Sequence, residues 1–93
     1  MQIQLFATYR DIAKAKVIEV PASNSDTVQQ LLQALIQQIP EFQSELFNDE
    51  TQSRLKPHVH LFVNGRNIIH LQGLETKISL QDEIALIPPV GGG

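Results

Sequence analysis

Val28, Leu31, Leu32, Leu35, Ile36 and Ile39 fall at i, i+3, i+4, i+7, i+8 and i+11, the spacing that lines apolar side chains along one face of an α-helix. Gln29, Gln30, Gln33, Gln37 and Gln38 supply most of the other side. A helix divided in this way needs a second layer to cover its stripe. Ser23-Asn24-Ser25-Asp26 is a turn cluster ahead of it. Asp26 or Ser25 can cap the first turn, and Asp26 followed by Gln29 has the spacing of a capping box. Pro40 ends the helix near Ile39, because the residue before a proline is driven out of the helical region.

The covering layer is legible on both sides of that helix. Ile3, Leu5 and Ala7 alternate with Gln2, Gln4 and Phe6, the period of a half-buried strand over residues 1–7. Residues 8–15 show no period and read as a connection with one irregular turn. Residues 16–20, rich in β-branched side chains, give a second strand stopped by Pro21. Beyond the helix, residues 41–47 read as a second, shorter helix with Pro40 at its first turn, and residues 48–56 as a polar loop. In a strand over 58–63, Val59, Leu61 and Val63 face one way and His58, His60 and Phe62 the other. Asn64-Gly65 is the commonest two-residue hairpin turn and leads to a return strand over 66–69. Residues 71–77 are turn-rich, with Gly73, and Asp82-Glu83 precede a last strand over 84–87. The order of hairpin, helix, hairpin and final strand predicts an α+β chain of the β-grasp type. Its mixed sheet, four- or five-stranded, packs on one main helix.

With 93 residues, the chain is one domain by size, divided into a folded part over 1–90 and a flexible glycine tail over 91–93. It is too small for a deep substrate pocket beside a separate cofactor domain. The net charge is −3 and no Lys/Arg cluster appears, so a nucleic-acid partner is not expected. No apolar run approaches a membrane span, Ile84 to Ile87 being among the longest. No basic segment followed by an apolar stretch opens the chain, and the expected location is cytoplasmic. The absence of cysteine removes a thiolate nucleophile and cysteine-ligated metal.

The ending Pro88-Pro89-Val90-Gly91-Gly92-Gly93 is the most informative stretch, and it is where the chemistry is expected. Prolines stiffen and extend a chain, and glycines strip it of side chains. Six residues reach at most roughly 20 Å beyond the last strand, at ~3.3–3.6 Å per extended residue, enough to enter a partner's buried site. A free α-carboxyl has a pKa of about 3.3–3.7 and is an anion at neutral pH. It resists nucleophilic attack until activated, and acyl-adenylate formation from ATP is the natural route. No side chain obstructs the approach to a glycine carboxyl. The activating enzyme must be another protein, because this chain has no glycine-rich phosphate loop.

Three stretches resemble the MoaD/ThiS family of sulfur carriers, related in fold to ubiquitin. They are Leu5 to Ile12, the run Phe62-Val63-Asn64-Gly65, and Asp82 to Gly93 with its Pro-Pro-Val-Gly-Gly-Gly end. The resemblance covers essentially the whole chain. It implies a protein that is not catalytic alone and holds no cofactor or metal, and whose Gly93 carboxyl is adenylated by an E1-like enzyme that uses ATP. Sulfur is then loaded to give a thiocarboxylate, with Gly92 as the slender approach. Pro88-Pro89-Val90 is most similar to the small subunit of molybdopterin synthase, which makes that enzyme's large subunit the expected sulfur-accepting partner. Residues 47–60 and 73–76 resemble longer relatives: the carrier that supplies sulfur to a cysteine-synthesis enzyme, and archaeal ubiquitin-like modifiers conjugated to lysines. Thiamine synthesis is a further destination of such sulfur.

Other side chains have competing readings. His58 and His60 share a strand face by parity, but no convergent ligand set accompanies them, His70 being the nearest addition. Asp82 and Glu83 read as turn-end charges, since adjacent strand residues point to opposite faces. Phe6 and Phe62 point away from the apolar sets of their strands. They are either isolated exposed apolar residues or a partner-docking patch beside the strand that leads into the tail. Ile87 or Ala85 completes such a patch, Pro88, Pro89, Val90 and Gly91 extend it, and Arg10 and Arg66 supply a polar rim.

Overall fold

The computed structural model describes residues 1–89. Strand β1 is Gln2–Leu5, helix α1 Thr8–Ala13, strand β2 Val17–Glu19, helix α2 Val28–Gln38 and helix α3 Phe42–Leu46. Strand β3 is His60–Val63, β4 Arg66–Asn67 and β5 Ile84–Ile87, with 3₁₀ turns at Ile68–His70 and Gly73–Glu75 between β4 and β5. The five strands form one mixed sheet in the order β2-β1-β5-β3-β4. β5 lies parallel to β1 and antiparallel to β3, and the other neighbouring pairs are antiparallel. This is the β-grasp arrangement expected from the pattern, with five strands.

One face of the sheet and the stripe of α2 make the core. Val28, Leu31, Leu32 and Leu35 are fully buried in one cluster with Ile3, Leu5, Leu61, Ile84 and Leu86. Ile36 and Ile39 sit at its margin, half-buried. The start of α2 is fixed twice. Thr27 and Gln30 form a reciprocal capping box, the Gln30 N–H donating to Thr27 Oγ1 and the Thr27 N–H to Gln30 Oε1. The Val28 N–H donates to the Thr76 carbonyl at 2.8 Å, and Ser25 and Ile78 are tied by backbone bonds of 2.8–2.9 Å spanning 25–26 and 78. The expected box at Asp26 and Gln29 is therefore displaced by one residue. Asp26 instead accepts from the Ser23 N–H, which shapes the turn ahead of the helix.

Four other expectations are corrected. Residues 8–15 hold a full helix, α1, because Tyr9 is drawn into the core. Its ring meets Phe42 edge-on at 5.6 Å between centroids, a favourable aromatic geometry. Strand β1 accordingly ends at Leu5, and Ala7 is exposed at φ 52° rather than buried with Ile3 and Leu5. Strand β3 begins at His60, because His58 has a φ of 68°, so the two histidines do not share a strand face. The return strand is only two residues long. The Asn67 side-chain oxygen accepts from the Ile69 N–H at 3.0 Å, a local capping bond that competes with the ladder and starts the 3₁₀ turn. Asn64 and Gly65 turn the hairpin with φ of 53° and 81°, as that dipeptide demands.

Leu35→Ala removes a fully buried side chain from the helix stripe and is expected to cost roughly 2–5 kcal/mol of folding stability. Chemical denaturation measures this, and a change within about 0.5 kcal/mol would show that the stripe is not the core. Burial, with the Glu45 carboxylate adding to it, pushes the Tyr9 phenol up from 10.0 to about 12. Tyr9 is the sole tyrosine and the chain has no tryptophan, so ultraviolet absorbance reports this one group. Below pH 10 the phenol is neutral in both states. Between pH 10 and 12 the unfolded chain loses the proton and the folded chain keeps it, so stability falls as pH rises through that window. Tyr9→Phe is expected to remove this part of the slope. The Tyr9 hydroxyl is buried with no partner among the described residues, so the same change also relieves an unsatisfied polar group. A parent phenol that titrates at its ordinary value, or a slope that Tyr9→Phe leaves intact, would contradict the burial.

Candidate functional site

The last strand is also the middle one. Leu86 of β5 pairs with Leu5 on one side and Leu61 on the other, and the final rung sets Ile87 opposite His60. Beyond it Pro88 is buried and Pro89 exposed. Val90, Gly91, Gly92 and Gly93, the expected reactive segment, lie outside the described residues. What is fixed is the root from which they leave: a strand hydrogen-bonded on both sides, followed by a proline packed into the fold.

Around that root the outer face of the sheet gathers the side chains singled out by parity. Gln4 and Phe62 flank Ala85 in register, and Asn67 follows Phe62 across β4. Phe62, Ala85 and Ile87 are half-buried, as is Phe6 just beyond β1. Arg10 binds this corner together. Its Nε donates to the Leu5 carbonyl at 2.7 Å, and its guanidinium carbon lies 5.1 Å from the Phe6 ring centroid, within cation–π range. Arg10 is thus placed beside Phe6. Arg66 lines a hollow next to Phe62 with Asn67, His70 and Leu71. A second hollow, lined by Gln4, Phe62, Ala85 and Ile87 among others, runs along the patch.

The remaining candidates have structural roles. The Asp82 carboxylate accepts from the Ser79 N–H at 2.7 Å and the Asn64 side-chain amide at 2.9 Å. These bonds, the Ser79 N–H first, hold its pKa below the usual carboxylate value. The Glu83 N–H donates to Asn64 Oδ1 at 2.8 Å. Asp82 and Glu83 therefore lock the β3–β4 turn onto the start of β5. No group of three or more His, Asp or Glu side chains is arranged to hold a metal ion among the described residues. No helix among them is long and apolar enough to cross a membrane.

Sequence reasoning missed one feature near the root, a contact between His60 Nδ1 and the Asn67 side-chain amide at 3.0 Å. Asn67 Oδ1 is already engaged by Ile69, so its NH₂ faces the ring and His60 Nδ1 accepts. Only the tight turn brings these residues together across the ladder, and no motif announces it.

Comparison with known proteins bears on the fold and the family. Residues 3–93 match the ThiS family. Small archaeal modifier protein 3 of Haloferax volcanii is 31% identical over 93 residues, covering 100% of this chain and 98% of its own. An Archaeoglobus fulgidus protein with the provisional description of sulfur carrier protein is 41% identical over 69 residues, 72% of this chain and 74% of its own. The crystal structure of small archaeal modifier protein 1 from H. volcanii superposes with a TM-score of 0.84 at 31% identity, covering 100% of this chain and 98% of that one. With a full-length family match, relatives of this identity and the same fold, the chain belongs to the ThiS family of small ubiquitin-like sulfur carriers and modifiers, proteins that are not catalysts on their own.

Proposed function

We propose that this protein is a sulfur carrier that works through the carboxyl group of Gly93. The observation that carries the reading is the placement of the tail's root on the doubly paired central strand β5, beside a half-buried apolar patch. A rigid root with a slender end presents one carboxylate within a bounded reach of a docking face. An E1-like enzyme that binds ATP joins AMP to that carboxylate and releases pyrophosphate. A sulfide-level sulfur then attacks the acyl carbon, expels AMP and leaves a thiocarboxylate. The loaded tail enters a sulfur-accepting enzyme. Molybdopterin synthesis is the destination suggested by Pro88-Pro89-Val90, with cysteine or thiamine synthesis as the other pathways. In this reading the chain itself binds no cofactor, and the work is done in the cytoplasm, where ATP is supplied.

A second reading has direct support. Two full-length relatives carry the name of small archaeal modifier proteins, so conjugation of Gly93 to lysines is the alternative fate of the same activated carboxyl. Both readings need the same first step.

Deleting Gly93, or extending it with a tag, displaces the reacting carboxyl by at least one residue, ~3.3–3.6 Å. Catalysis tolerates misplacement of that size poorly. Both changes, and Gly92→Val, which restricts the approach, are expected to abolish pyrophosphate exchange by the cognate adenylating enzyme while thermal unfolding stays unchanged. Activation equal to the parent in all three would show that Gly93 is not the reactive end. The docking patch has its own check. Phe62→Ser is expected to cost about 1 kcal/mol of stability, against roughly 2–5 kcal/mol for Leu61→Ala on the buried face, and to weaken binding of the adenylating enzyme. A large stability loss with undiminished affinity would place Phe62 in the core and remove the patch.

A further inference from the structure

A larger opening lies off the β3–β4 edge of the sheet. It is a groove of about 670 Å³ between Gln29 on α2, residues 53–60 and the two 3₁₀ turns. Leu55, Val59, Ile68, Ile69 and Leu74 give it an apolar lining. Ile69 is 74% exposed, against 48% for Leu80 and 44% for Val17, the other exposed large apolar residues among those described. Standing open on the lip of the groove, Ile69 offers apolar area that a partner's apolar side chain would bury.

The rim is charged. Arg54 and Lys56 stand there against a single acid, Glu75, with His58 and His60 beside them. In a chain that carries −3, two cations against one acid make this rim locally positive. Neither Arg54 nor Lys56 is paired with a carboxylate among the described residues. The groove is also continuous with the tail's root. His60 lines it and pairs with Ile87 on the last rung of β5, and Asn67 borders both this groove and the hollow beside Phe62. An enzyme that takes hold of the tail beyond the Ile87–His60 rung has this groove as a neighbouring surface.

We infer that this groove is a second docking surface for the enzyme that activates the tail, and that it receives an acidic segment of that enzyme bearing an apolar side chain. The apolar side chain covers Ile69, and the carboxylates meet Arg54 and Lys56. The inference rests on the proposed function only in needing such an enzyme to exist. Because its rim is charged, the groove contributes association that salt weakens, separate from the apolar grip of the outer sheet face.

The test is equilibrium binding of the full-length, fluorescently labelled chain to the cognate adenylating enzyme without ATP, followed by fluorescence anisotropy. The parent is compared with the double variant Arg54→Glu/Lys56→Glu and with Ile69→Ser. All three positions are at or near the surface, and thermal unfolding confirms that the fold is kept. Each variant is expected to bind about tenfold more weakly, and added salt is expected to weaken the parent more than the charge-reversed form. Adenylation at saturating enzyme should proceed at the parent rate, because the tail is untouched. Equal affinities for all three chains would overturn the proposal. So would self-association of the parent that Ile69→Ser abolishes, since the groove would then belong to a second copy. Binding as expected with no adenylate formed would leave the groove assigned and sink the proposed function instead, whereas no binding by the parent would overturn both.

Discussion

Everything this protein is proposed to do depends on β5 being hydrogen-bonded on both sides. A final strand at the edge of a sheet frays, and a tail hung from it would have no fixed origin. Here β1 and β3 hold the last strand along its length, and Asn64, Ser79 and Asp82 clamp its beginning. Placing the last strand in the middle requires a parallel pairing with the first, and a parallel pairing requires a long crossover. The chain supplies that crossover with α2, and the stripe on α2 is what the crossover buries.

The division of the sheet into two faces follows from the same arrangement. Ile3, Leu5, Leu61, Val63, Ile84 and Leu86 face α2 and are buried, leaving Gln4, Phe62, Ala85 and Ile87 on the other side with no layer over them among the described residues. α2 is seated by its capping box and by the Thr76 carbonyl, so segment 73–78 is drawn against its first turn. That docking carries the two 3₁₀ turns to one side and builds the groove wall opposite residues 53–60. The helix start, the groove and the tail's root are therefore consequences of one packing solution rather than separate inventions.

Much of this was legible in the sequence, for identifiable reasons. The α2 stripe, the Asn64-Gly65 turn and the β5 run are local signals in which period or turn chemistry agrees with the final fold. The helix cap was misread by one residue because Asp26-x-x-Gln29 and Thr27-x-x-Gln30 have the same spacing, and the choice is made by the docking of Val28 on Thr76. Helix α1 was hidden because its six residues bury one large side chain, Tyr9, and the partner that makes this favourable, Phe42, lies far along the chain. The shortened β4 had a signal that was not read: an asparagine after the hairpin turn able to cap the next residues. In the candidate site, the parity of Phe6 and Phe62 and the glycine end were visible. The groove was not, because residues 29, 53–60 and 67–75 meet only after folding.

The central claim is that the carboxyl of Gly93 is the working group, and the intact mass of the chain purified from its native host tests it most directly. The account predicts a population heavier by one sulfur-for-oxygen exchange, with fragmentation placing the change on Gly93. The modifier alternative predicts lysine-linked peptides ending in Gly92-Gly93. A chain that carries only an unmodified carboxylate, and leaves no such peptides on other proteins, would contradict the claim.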